Sequence, residues 1–243
     1  MKKDYRFQKI TAIFSDLPRG SVLDLACGDG RYAYDLGQKG FHVQAADVDH
    51  DRFQYHDKIK FQHCTLDNPL PFGDNSFDYV LFLETVEHLK NPFFVIGEIG
   101  RVLNENGCLI ISTPNILNIG SRIRFLFEGG FDFFREPLLD YAKFHHNNLQ
   151  NMHIVVWRYH ELEWLLSEGN LKIETSFTDF IKPQLKIISF FLKPLLRIRS
   201  YFQEKRADRK GGVNYRRINK ILFSEELLLG RHLILKARKT LKK

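Results

Sequence analysis

The ten residues Ser21-Val-Leu-Asp-Leu-Ala-Cys-Gly-Asp-Gly30 constrain this chain more than any other stretch. Ser21 to Leu25 ends apolar, as a buried strand does. Ala26 to Gly30 is made of small residues and turns tightly, and Arg31 to Gly37 then follows with the pattern of an amphipathic helix. Strand, small-residue turn and helix in that order let backbone approach a nucleotide-like ligand closely, with helix N–H groups aimed at it. The spacing is not GxGxxG and no Walker lysine follows, so the loop argues little for a dinucleotide and less for a triphosphate.

Three further stretches follow in order. Phe41-His-Val-Gln-Ala-Ala-Asp47 reads as a second strand, ending in an acid 19 positions after Gly28. In nucleotide-binding α/β folds a carboxylate there accepts from both ribose hydroxyls. Pro69 to Asp78 leads into Tyr79-Val-Leu-Phe-Leu-Glu-Thr-Val-Glu-His-Leu89, and Arg101 to Asn115 closes the run with a strand opened by Asn106-Gly107. In kind and order these segments resemble the class I S-adenosylmethionine-dependent methyltransferases, whose Asp-x-(Gly/Ala)-x-Gly-x-Gly loop corresponds to Asp24 through Gly30. The resemblance covers residues 20–115 well and the two later insertions only loosely.

That resemblance implies an α/β fold with a Rossmann-like, doubly wound seven-stranded sheet, mostly parallel with an antiparallel last strand, plus two insertions. It implies S-adenosyl-L-methionine as cofactor, held by Asp24, Ala26, Gly28, Gly30, Asp47, Val48, Thr65, Leu66 and Leu83. Cys64 to Phe72 is similar to the segment whose acid and following backbone N–H read the adenine edge. Thr65 stands where an acid is common, which leaves Thr65 or Asp67, with the backbone of Leu66, for that role.

At 243 residues the chain is long enough for one full α/β domain with insertions, expected over 1–243. A helix over 4–17 is stopped by Pro18-Arg-Gly20, and strands follow at 21–25, 41–46, 59–64 and 77–83. Helices are expected at 30–39, 49–58 and from Pro92 to Leu103, with strand 5 at 107–113. The cofactor core is thus 21–113. A first insertion spans 114–158, with Phe125 to Phe134 and the His145-His-Asn-Asn148 cluster, and is expected to shape the acceptor pocket. A helix at 159–168 and a strand at 171–178 precede a second insertion at 179–228, and 230–238 is the last strand.

Glu84, Glu87 and His88 carry the candidate chemistry. If a helical turn follows strand 4, their i, i+3, i+4 spacing puts them on one face beside the methyl donor. Two carboxylates and an imidazole there could hold Mg²⁺ or Mn²⁺, which would lower the pKa of an acceptor hydroxyl. His88 acting without metal, as base or acceptor-orienting residue, is the simpler alternative. The Glu-x-x-Glu-His pattern is similar to that of ubiquinone-biosynthesis O-methyltransferases and of small-RNA 2′-O-methyltransferases, both of which bind metal through it. In the RNA enzymes a further histidine shortly before a helix completes the site, and His153, followed by Trp157 and the expected 159–168 helix, lies in a comparable place here.

Composition bounds the setting. Cys27, Cys64 and Cys108 lie far apart with no CxxC pair, which fits a reducing cytosol and neither a disulfide framework nor a zinc site. No N-terminal signal-type run and no bilayer-length segment is present, so the expected location is cytoplasmic. The formal net charge is +7, and residues 181–210 hold nine Lys or Arg against Glu204 and Asp208, interleaved with large apolar residues. That stretch reads as a lid helix or as an interfacial helix peripheral on an anionic membrane. The Thr113-Pro-Asn-Ile-Leu-Asn-Ile-Gly-Ser-Arg122 segment with a basic-apolar insert resembles bacterial enzymes of surface-polysaccharide or glycolipid assembly. The expected reaction is O-methylation of a small-molecule, glycan or lipid-linked acceptor. RNA 2′-O-methylation, with nucleic acid as partner, is the second reading, and a non-catalytic module at the membrane is the third.

Overall fold

The computed structural model describes residues 4–134, 153, 155–208 and 215–241. Strands β1 (Ser21–Leu25), β2 (His42–Asp47), β3 (Lys60–His63), β4 (Phe77–Leu83), β5 (Leu103–Pro114), β6 (Leu171–Phe177) and β7 (His232–Lys239) form one sheet. Their order is β3-β2-β1-β4-β5-β7-β6. β1 pairs parallel with β2 and β4, β2 with β3, and β4 with β5, whereas β6 and β7 run antiparallel. The strand order reverses between β1 and β4. In an open α/β sheet the crevice at the carboxyl ends of such strands is the place for a ligand.

Two compact units emerge among the described residues. One holds residues up to Thr113, those within 138–177, and those from Ile234 on; the other holds those within 114–137 and 178–233. The first is the sheet unit. Its helices are α1 (Tyr5–Ser15), α2 (Arg31–Gln38), α3 (Pro92–Val102) and α5 (Tyr159–Glu168). Asp4 starts α1 by accepting from the Phe7 N–H, and Asn91 starts α3 by accepting from Phe94, with Pro92 at the first turn where its missing N–H costs nothing. Ile10, Ile13 and Phe14 of α1 bury against Val22, Tyr79, Leu81 and Ile110 of the sheet. α3 and α5 approach closely because Gly100 has no side chain: a Cβ there would lie 2.3 Å from the Gly169 carbonyl oxygen.

The helix expected over 49–58 does not form; that stretch is a series of turns. Asp47 accepts from the Asp49 N–H and Asp49 from the Arg52 N–H, so side chains capture donors that a helix would need. Phe53 instead packs beneath the glycine turn with Ala33, Ala45 and Ile59. β5 begins at Leu103, four residues before its expected start, carrying Asn106 in the left-handed region at φ 62°.

The second unit contains α4 (Ile119–Glu128), α6 (Pro183–Asp208), α7 (Tyr215–Leu222) and α8 (Glu225–Leu229). Asn118 caps α4 through the Ser121 N–H, and Ser224 caps α8 through Leu227. Its core gathers Ile119, Leu228 and Leu229 with Leu185, Leu192 and Leu196 of α6. Asn115 ties the unit together. Its Nδ2 lies 2.9 to 3.2 Å from the carbonyl oxygens of Glu226, Leu227 and Gly230.

Candidate functional site

A cavity of about 520 Å³ opens at the carboxyl ends of β1, β2 and β4. It falls within the usual size range of small-molecule sites. The loop after β1 forms one wall. Ala26, Gly28 and Gly30 all take positive φ, at 59°, 58° and 81°. A Cβ on Gly30 would meet the Phe53 ring at 2.2 Å, so both the backbone conformation and the space demand glycine. Gly30 cannot cap α2 with a side chain, and Asp24 does it from the strand: its carboxylate accepts from the Ala33 N–H at 3.1 Å. Burial, and after it the charges of Asp47 and Asp29, push the Asp24 carboxyl up to about 7.

Asp47 ends β2, with one carboxylate oxygen accepting from the Gly28 N–H at 2.8 Å and the other from Asp49 at 2.9 Å. It is thereby aimed along the glycine loop, and each oxygen keeps a further lone pair. Val48, Thr65, Leu66, Asp67 and Leu83 also line the cavity, and the Thr65 hydroxyl accepts from Asn68. Eight of the nine expected cofactor residues therefore lie on this wall; Gly30 stands just behind it, holding the turn. Burial pushes the Cys64 thiol up to about 11 and Cys27 higher still, so neither wall cysteine is a thiolate at neutral pH. Arg6, Arg31, Tyr32, Arg52 and Lys90, to which no sequence motif points, also line the cavity. Only their place in α1, in α2 and in the turns puts them there.

The structure separates the three residues after β4. Glu84 sits at φ 47°, before the short 3-10 turn Val86–His88, so no α-helical face carries all three. Its carboxylate accepts from the Ser112 hydroxyl at 2.6 Å and pairs with Arg6 at 2.9 Å. Glu87 turns inward and is fully buried. Its Oε2 accepts from Thr113 at 3.0 Å, while Oε1 has no hydrogen-bond partner among the described residues. Burial first, and then the neighbouring charge of Glu84, push the Glu87 carboxyl up to about 8.

His88 faces the cavity. The segment before α5 brings in His153: the Val155 N–H donates to the Glu87 carbonyl, and the Trp157 indole N–H donates to that of Val86. The His88 and His153 rings stand 4.8 Å apart. Glu87, His88 and His153 each offer one ligand atom, all within 4.8 Å of one another. Of the four expected ligands the structure gathers these three and diverts Glu84 to Arg6 and Ser112. His145 and His146 lie outside the described residues.

A seven-stranded sheet of this order with a glycine-loop cavity at its switch point is the class I S-adenosylmethionine-dependent methyltransferase fold. The chain belongs to the methyltransferase-domain family, which matches residues 2–176. It is 29% identical over 124 residues to the ubiquinone biosynthesis O-methyltransferase of Rickettsia felis, covering 47% of this chain and 50% of that protein. It is 34% identical over 105 residues to the demethylmenaquinone methyltransferase of Clavibacter sepedonicus, covering 39% and 42%. The chain thus spans half or less of the length of these relatives. A solved S-adenosylmethionine-dependent methyltransferase from Archaeoglobus fulgidus shares the fold at a TM-score of 0.57 and 16% identity, over 96% of this chain and 91% of that one.

Proposed function

We propose that this chain transfers the methyl group of S-adenosylmethionine to an acceptor hydroxyl placed at Glu87, His88 and His153. The observation that carries the reading is the buried Glu87 Oε1, without a hydrogen-bond partner among the described residues, beside two imidazoles, one of which faces the cavity. A buried carboxylate oxygen without a donor costs free energy unless a proton or a cation meets it.

In this reading Asp47 accepts from the ribose hydroxyls, Thr65 and the Leu66 N–H meet the adenine edge, and Val48 and Leu83 supply apolar contact. The Ala26–Gly30 backbone lies against the methionine part, and Arg6, held by Glu84, supplies a cation for its carboxylate. Transfer is an in-line displacement: the acceptor C–O bond forms as the C–S bond breaks, and sulfur leaves as a neutral thioether. The acceptor oxygen also loses its proton. The donor set of one carboxylate and two imidazoles fits a divalent cation, and with Glu84 diverted it suits Mn²⁺ better than the oxygen-demanding Mg²⁺. A cation held by Glu87, His88 and His153 would lower the hydroxyl pKa so that the proton is lost to solvent. Without one, the same proton passes to the His88 imidazole.

Oxygen as the acceptor atom is supported by the relatives named O-methyltransferases. For its carrier we propose a glycan, glycolipid or other lipid-linked hydroxyl. Thermal unfolding with S-adenosylhomocysteine, in Mn²⁺, Mg²⁺ or EDTA, tests donor and cation separately. At about a hundred times its dissociation constant the ligand adds roughly 2.7 kcal/mol, a rise of several degrees. Mn²⁺ adds a second rise that Glu87→Gln removes. A ligand shift indifferent to Mn²⁺ and EDTA contradicts the cation and leaves His88 as base. No ligand shift contradicts the donor.

A further inference from the structure

α6 is a helix with two apolar faces. One turns inward: Leu185, Leu192 and Leu196 pack into the core of their unit, and Ser189 and Ser200 are buried on the same side. The other is open. Ile187, Phe190, Phe191, Ile198, Tyr201 and Phe202 recur at helical spacing opposite the buried set, with Phe190 75%, Phe191 69% and Phe202 65% exposed. Single exposed apolar residues are ordinary on a protein surface, but a stripe of six running the length of one helix is not.

Charge decides what covers it. Lys186, Lys193 and Arg197 follow one edge of the open stripe, and Lys205 and Arg206 lie exposed or partly exposed near its end. Lys205 stands over the Tyr201 ring, its ammonium 4.7 Å from the centroid. Glu204, the acid on the basic edge, already accepts from Asn219. A two-fold pairing of this stripe with a second copy would set one basic edge near another. An anionic bilayer suits both parts, since aromatic rings sit at the acyl boundary while Lys and Arg reach the headgroups on flexible stems. No helix among the described residues is long and apolar enough to cross a membrane, so the contact is one of lying on the surface.

We propose that the open face of α6 docks this chain on a membrane rich in anionic phospholipid. The inference rests on this surface alone and not on the proposed methyl transfer.

Flotation of the full chain with vesicles of phosphatidylcholine, alone or mixed with phosphatidylglycerol, tests it. The chain floats with the mixed vesicles and not with phosphatidylcholine alone, and added salt weakens the association. Phe190→Ser with Phe191→Ser abolishes flotation while leaving the melting temperature unchanged, because both rings are exposed. Lys193→Gln lowers partitioning about fivefold. Equal flotation with both vesicle types, no flotation with either, or flotation unaffected by the phenylalanine pair overturns the proposal. So does a concentration-dependent dimer that the same pair dissolves, or an RNA oligonucleotide bound through these residues in place of lipid.

Discussion

At Asp24 one carboxylate lines the cavity and also caps α2, almost wholly out of water. Its folded pKa of about 7 lies above the ordinary aspartate value of about 3.9, so the unfolded chain gives up this proton at a lower pH than the folded one. The contribution of Asp24 to stability is complete below pH 4 and is lost as pH rises through 7. Asp24→Asn keeps an acceptor for the Ala33 N–H without that dependence. Relative to the parent, the variant therefore gains about 2 kcal/mol between pH 5 and pH 8, read from thermal unfolding at both values; parallel pH dependences would contradict the assignment. Residues of this kind were legible in the sequence because their chemistry fixes their type: only glycine fits at Gly30, and Asp47 ends its strand where its carboxylate reaches the glycine loop. Glu84 was not legible. Its positive φ and its partners Arg6 and Ser112 arise from backbone geometry and from residues 78 positions before and 28 after it.

Among the elements, the strands and the helices flanking them follow from apolar period and capping, and their ends fall within a residue or two of the expected ones except at β5. The 49–58 helix fails because two nearby aspartates, Asp47 and Asp49, capture backbone donors in local turns, a competition that apolar spacing does not register. α4 was not foreseen; its Asn118 cap lies in a stretch read as insertion rather than as structure. The shorter turn Val86–His88 redistributes the expected ligand set, yet His153 still reaches His88 because Trp157 and Val155 bond to that turn. In the second unit Asn115 holds α8 and the approach to β7 through a single amide. Asn115→Ala leaves these carbonyls without their side-chain donor and costs about 2 kcal/mol, so hydrogen exchange of the Leu227 to Leu229 amides accelerates ahead of that in β1 and β4. Uniform exchange across both units would contradict that placement.

For the whole molecule, the sheet order and the family match agree on the fold, and the basic excess of the chain finds a structural place along α6. Acceptor identity was the least legible property, because recognition of an acceptor needs no fixed motif. The central claim is that the cavity beneath Asp47 receives S-adenosylmethionine. Isothermal titration of S-adenosylhomocysteine into the parent chain and into Asp47→Ala tests it directly. The parent binds with one site per chain, and the variant loses about a hundredfold or more in affinity with its ribose acceptor gone. An unchanged dissociation constant in Asp47→Ala, or no binding by the folded parent, would contradict the claim.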